Sequence, residues 1–183
     1  MSAGECIPWL SQLLTGLAEA HEAGIIHRDL SPRNIFFAHD DRGEETLKIL
    51  DFGIAVSKRY QSRKALTEPG TVIGSVHYMA PEQLRGLPLD FRADLWAVAV
   101  ILYLAIIGRR PFEGKGMQPL AAILRDPHET PSRIHKSLPV ALDRFFARAL
   151  CKEPEGRYRS LDHFLDAFHT AAIGFAAPSL RAP

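Results

Sequence analysis

The fold class predicted for this chain of 183 residues is mainly α: a helical bundle around one buried central helix, with a small β-hairpin near its start. Three observations carry that expectation. The run Leu95–Ile107, LWAVAVILYLAII, has no polar face, so it reads as a helix packed by protein on nearly all sides. Elsewhere, apolar residues recur at the 3.6-residue spacing of amphipathic helices. Just two short segments, Ile35–Ala38 and Thr46–Leu50, have strand character, and the polar turn HDDRGEE joins them.

Taken in order, residues 8–23 form an amphipathic helix, with Leu10, Leu13, Leu14 and Leu17 on one face and Gly24 at the C-terminal glycine position. Gly16 inside it costs about 1 kcal/mol relative to alanine, so tertiary packing has to hold that helix. Pro32 interrupts regular structure before the hairpin. From Asp51 to Glu82 periodicity disappears, and a loop of that length is usually functional. The buried helix starts near Asp94 and stops at Gly108, and a short helix covers Met117–Arg125. Another spans Val140–Cys151, with Leu142, Phe145, Phe146 and Ala149 on one face. The last begins at Leu161, with Ser160 as N-cap and Leu161, Phe164, Leu165 and Phe168 inward. Residues 1–170 make one domain, and residues 171–183 read as a frayed tail.

Composition narrows the function classes. Hydrophobic residues make up 46% and charged residues 23%, as in ordinary globular proteins. A net charge of +1 leaves no clustered basic excess for nucleic acid. The apolar run is shorter than the roughly 20 residues a membrane span needs. The first ten residues, MSAGECIPWL, lack the pattern of a secretion signal. Cys6 and Cys151 allow one bridge at most, which points to a reducing, cytoplasmic setting. The eight histidines show no H-x-x-x-H spacing, which argues against a metal hydrolase.

The chemistry concentrates in two loops, His27-Arg28-Asp29-Leu30-Ser31-Pro32-Arg33-Asn34 and Asp51-Phe52-Gly53. Two carboxylates and an amide stand at the ends of strands that a hairpin brings together. Such an oxygen-rich set suits Mg²⁺, and Asp29 could alternatively accept the proton of an attacking hydroxyl. Taken singly, each triplet is compatible with an ordinary turn.

In combination, HRDLxxxN, then DFG, then Ala80-Pro81-Glu82, with a long loop between the last two, resembles the protein kinase family over about residues 7–170. The resemblance implies a kinase-like C-terminal lobe that uses ATP and Mg²⁺ and acts on a protein substrate. It makes Asp29 the catalytic base and Asn34 and Asp51 the metal ligands, with Asp51 holding the Mg²⁺ that bridges the phosphates. Gly53 allows the sharp turn after Asp51, and Phe36 stands at the adenine floor. His27 and Phe52 correspond to a stacked pair, which makes His27 a packed core residue and not an acid or base. Arg28 resembles the arginine that clamps an activation-loop phosphate. Thr67 and Thr71 are the acceptor candidates, or else simply solvated loop threonines. Ser75 stands beside the substrate, with its hydroxyl toward Asp29. Glu82 and Arg157 resemble the family's buried ion pair. Asp94 and Trp96 resemble the start of its central helix, where the aspartate caps the catalytic loop.

The chain also departs from the pattern. Ser31 replaces the lysine that contacts the transferred phosphate, and loss of one such contact costs about 10²–10³ in rate. Even so, HRDxSPxN resembles a variant among bacterial kinases. Arg33 resembles the tyrosine-kinase loop, whereas Pro32 and GSVHYMAPE favour serine/threonine specificity. Ala99 replaces a glycine usual in the central helix. The 183 residues contain no glycine-rich loop, no strand lysine in a V-A-I-K context and no helix glutamate to pair with it. The expectation is therefore a partial serine/threonine kinase with negligible activity on its own. The alternative is a non-catalytic interaction module with an exposed apolar surface around Phe36, Leu50 and Phe52, open to a partner. A lobe completed by a separately encoded N-lobe is a third reading.

Overall fold

The computed structural model describes residues 1–39, 43–52, 75–114 and 117–173. Helix α1, Cys6–Glu22, buries Cys6, Leu10, Leu13, Leu14 and Leu17 and ends before Gly24, whose φ of 75° only glycine adopts without strain. Strands β1, Ile35–His39, and β2, Glu45–Ile49, pair antiparallel with Ile35 opposite Ile49. The hairpin lies on α1. Gln12 of α1 accepts the Leu47 N–H at 2.8 Å, and a Cβ on Gly16 would stand 3.1 Å from Cδ1 of Ile49. The glycine that weakens the helix is the one that lets the strand approach.

Helix α2, Pro81–Arg85, is a correction to the sequence reading, which kept the loop going to Glu82. It is too short to show a period, and local chemistry builds it instead. Pro81 presets the first turn, Gln83 Oε1 accepts the Ala80 N–H at 2.9 Å, and Gly86 closes the helix at φ 69°. Helix α3, Arg92–Ile107, starts two residues earlier than expected because the Asp90 carboxylate accepts both the Arg92 N–H and its guanidinium. Asp94 therefore sits inside the first turn. From Ala93 to Tyr103 every residue of α3 is buried, as the unbroken apolar run required.

Helix α4, Gln118–Arg125, is followed by the single turn α5, Pro131–Ile134, which the sequence reading missed. Helices α6, Val140–Ala149, and α7, Leu161–Ala172, pack on each other through Phe145, which meets both Phe164 and Phe168 edge-on. The Ser160 hydroxyl caps α7 by accepting the His163 N–H at 3.1 Å. The helix runs two residues past the expected domain limit because Ala171 and Ala172 are buried. The rest of the expected tail, 174–183, lies outside the described residues. Among the described residues no helix is long and apolar enough to cross a membrane.

Candidate functional site

Asp94, 1% exposed, organises the loop that leads into the hairpin. Its Oδ2 accepts the His27 N–H and its Oδ1 the Arg28 N–H, each at 2.9 Å, and His21 Nε2 sits 2.8 Å from Oδ2. The two backbone bonds are the contacts the sequence reading expected of Asp94. His21, on the last turn of α1, was missed, because nothing in a helical period marks a histidine that reaches another helix.

His27 is wholly buried and joins the two loops. Its Nε2 lies 2.9 Å from the Leu50 carbonyl, which can only accept, so that nitrogen carries the hydrogen. Nδ1 accepts the Asp29 N–H at 3.3 Å. Both nitrogens are therefore used within the fold. The ring also contacts that of Phe52, with centroids 4.9 Å apart and planes tilted by 49°. Thus the residue before Asp29 by two and the residue after Asp51 by one are packed together.

The hairpin completes the convergence. The Leu50 N–H donates to the Asn34 carbonyl at 2.9 Å, extending the ladder one pair beyond Ile35–Ile49. The Asn34 side-chain amide donates to the Asp29 carbonyl at 2.8 Å, and its Oδ1 is an acceptor of the kind a hard cation takes. Asp29, Asn34 and Leu50, the residue before Asp51, are thereby tied through one short network to the open end of the hairpin. Arg28 and Asp51 take left-handed backbone conformations, at φ 66° and 58°. Non-glycine residues rarely do so, and such strain concentrates where a site demands it. Both side chains are exposed.

A second tie reaches the loop from α2. Gln83 Nε2 donates to the Arg28 carbonyl at 2.7 Å, a contact with no signal in the sequence. Helix α2 is itself anchored by Glu82 and Arg157, which are 3% and 1% exposed and meet through two bonds of 2.6 and 2.7 Å. The other donors of Arg157 go to the carbonyls of Cys151, Arg92 and Lys152, and its guanidinium lies over Trp96 at 4.9 Å. All five N–H groups are used, which is what makes a buried guanidinium tolerable.

The remaining expected residues are placed as follows. Ser31 is 3% exposed, and its carbonyl accepts the Asn34 N–H at 2.9 Å. Phe36 and Leu50 are exposed, whereas Phe52 is half-buried against His27 and the core. Ser75 begins a short 3-10 turn through Tyr78. In that turn His77 is buried, and burial together with the nearby Arg110 cation lowers its pKa. Gly53, Thr67 and Thr71 lie outside the described residues.

The family model described as the protein kinase domain matches residues 1–168. The chain is 41% identical to the serine/threonine-protein kinase Pkn1 of Myxococcus xanthus, over 99% of this chain and 26% of that protein. It is 39% identical to pkn3 of the same organism, over 90% of this chain and 31% of the relative. To PknE of Mycobacterium tuberculosis it is 34% identical, over 87% of this chain and 27% of the relative. The chain thus spans between a quarter and a third of the length of these curated relatives. The chain belongs to the protein kinase family, among the serine/threonine kinases of bacterial type.

Proposed function

We propose that the chain forms the C-terminal lobe of a kinase that transfers the γ-phosphate of ATP to serine or threonine hydroxyls of a protein. The observation that carries this reading is the network joining Asp94, His27, Leu50, Asn34 and Asp29, which gathers the polar side chains at one end of the hairpin. The donor set fits magnesium. Asp51 supplies an exposed carboxylate and Asn34 a fastened amide, both hard oxygen ligands. When bound, ATP with Mg²⁺ supplies the transferable phosphoryl group and neutralises its charge.

In this reading Asp29 orients the substrate hydroxyl and accepts its proton. Its backbone is held from both sides, by His27 at the N–H and by Asn34 at the carbonyl, which fixes the position from which the carboxylate projects. Arg28, exposed, receives a phosphate on Thr67 or Thr71 and so couples modification of that segment to the loop. Ser31, beneath the loop, packs it and does not replace the lysine charge at the phosphate. Phe36 contributes an exposed ring to the adenine side, and Ser75 serves the substrate side. The setting proposed is cytoplasmic.

The test uses the natural gene product and Asp29→Asn. Phosphate transfer from Mg-ATP to serine or threonine of a protein substrate should fall by at least about 10². Transfer at the unaltered rate would overturn the role of Asp29. Phosphate appearing on tyrosine alone would overturn the specificity.

One observation favours a second reading, that of a non-catalytic interaction module. Phe36, Phe37 and Leu50 are 50%, 48% and 44% exposed at the hairpin, more apolar surface than a short hairpin usually leaves in water. The intact mass of the protein from its native source separates the two. A mass of 20.3 kDa supports the module, and a mass larger by at least another lobe supports the kinase.

A further inference from the structure

Between α6 and α7 the surface opens into a groove of about 490 Å³, a size that accepts a few side chains. Its floor is built from the rings of Phe145 and Tyr158, which are buried and stacked with centroids 5.4 Å apart. Arg148, Tyr158 and His163 form one end. There the Arg148 guanidinium lies 4.6 Å over the Tyr158 ring, and the His163 ring meets Tyr158 edge-on at 5.2 Å. Ala141 and Ala171, from the opposite ends of the two helices, line the other end. Their near neighbours in the chain, Val140 and Ile173, are 60% and 66% exposed. One end of the groove is thus apolar and the other cationic.

The cations are also regularly spaced. Arg144 and Arg148 stand one turn apart on α6, and both line the groove. Like charges at that spacing repel, so they do not serve the helix itself. Among the described residues neither forms an ion pair. Asp143, the carboxylate of α6, is engaged elsewhere, accepting the N–H and the hydroxyl of Ser132 at 2.9 and 2.6 Å. Among the described residues that line the groove, Asp166 of α7 is the one carboxylate. A guanidinium held over a ring keeps N–H groups for another acceptor, so the α6 wall is suited to carboxylates. Four residues of helix rise about 6 Å, and alternate residues of an extended chain lie about 6.7 Å apart. Two carboxylates two residues apart in an extended segment therefore match Arg144 and Arg148 in charge and in spacing.

We propose that this groove docks an extended segment of a partner protein with the pattern apolar-x-acidic-x-acidic. The apolar side chain enters between Ala141 and Ala171, where Val140 and Ile173 add contact area. The two carboxylates take Arg144 and then Arg148 in charge-assisted bonds. Asp166 on the facing wall repels them and so keeps the acidic edge of the segment on α6. Neither helix carries a residue of the two loops at the hairpin, so occupancy of the groove does not depend on phosphate transfer.

The experiment titrates the full chain into fluorescein-labelled Gly-Leu-Ser-Glu-Ser-Glu-Gly and follows anisotropy. A control peptide holds the same residues reordered as Gly-Leu-Glu-Glu-Ser-Ser-Gly. The alternating peptide should bind at least about fivefold more tightly, and about 0.5 M salt should shrink the difference by screening the charges. Arg144→Glu combined with Arg148→Glu should weaken its binding by at least about fivefold. The same variant should gain affinity for Gly-Leu-Ser-Lys-Ser-Lys-Gly, which a misfolded chain would not do. Ala141→Phe, at an exposed position, should fill the apolar end and weaken every peptide. Equal affinity for the two acidic peptides would overturn the pattern. Binding unchanged by charge reversal, or no saturation up to about 1 mM, would overturn the site. A dimer in sedimentation equilibrium that the charge reversal abolishes would make a second copy the occupant and overturn the partner segment.

Discussion

Asp94 accepts the backbone N–H of Arg28 at 2.9 Å, so the buried helix holds the loop of residues 27–34 by its main chain. The same carboxylate also serves His27 and His21. In Asp94→Asn, one of the two oxygens becomes an N–H donor facing another donor. The expected cost is about 2–4 kcal/mol, because buried donors then go unpaired. Urea unfolding of the full chain measures it. His21→Ala should cost less, since it removes one of three partners and leaves both backbone bonds.

Glu82 and Arg157 form a sealed bidentate pair, with three main-chain carbonyls on the remaining guanidinium hydrogens. Removing either partner leaves a buried charge, at a cost of about 3–5 kcal/mol. Arg157→Ala with Glu82→Ala should cost clearly less than the sum of the two single changes. Arg157→Lys should also fail to restore stability, because an ammonium cannot reproduce the five-donor fork. A double-mutant cycle by chemical denaturation checks all of this.

Acid should destabilise the fold through His128. Burial first, and then the Lys152 cation, push its imidazole down to about 4, against a smaller opposing pull from Asp143. The unfolded chain therefore takes up this proton first, and stability is lost as pH falls from about 6.5 to about 4. The loss has an upper bound of about 3 kcal/mol for that single group. In His128→Phe the slope of stability against pH across this window should flatten. Part of it should persist, because His77 is shifted in the same direction.

Gly16 tests the contact between α1 and the hairpin. In Gly16→Ala the new methyl meets Cδ1 of Ile49 at 3.1 Å, at the flexible end of that side chain. Helix propensity gains about 1 kcal/mol and the crowding returns most of it, so the change should be close to neutral. Gly16→Val adds branches that Ile49 cannot avoid, and thermal unfolding should register a loss of about 1–3 kcal/mol.

The sequence by itself determined the elements long enough to show a period, and the local chemistry of the loops. Helix α1, the central helix and the pair α6 and α7 are legible because their apolar spacing reports which face is buried. The hairpin is legible because its turn is polar and its strands are short. Two helices escaped for a physical reason. Pro81–Arg85 and Pro131–Ile134 are one turn long, less than a period can reveal, and proline geometry with side-chain caps forms them. Tertiary structure alone decided which distant groups meet. His21 reaches Asp94, Gln83 reaches the Arg28 carbonyl, Gln12 reaches β2, and Lys152 lies between α4 and the rings of Trp96 and Phe112. Periodicity records that a residue faces inward. It carries no record of the partner, because that partner is set by how separate elements cross, and each of these contacts joins residues remote in the chain.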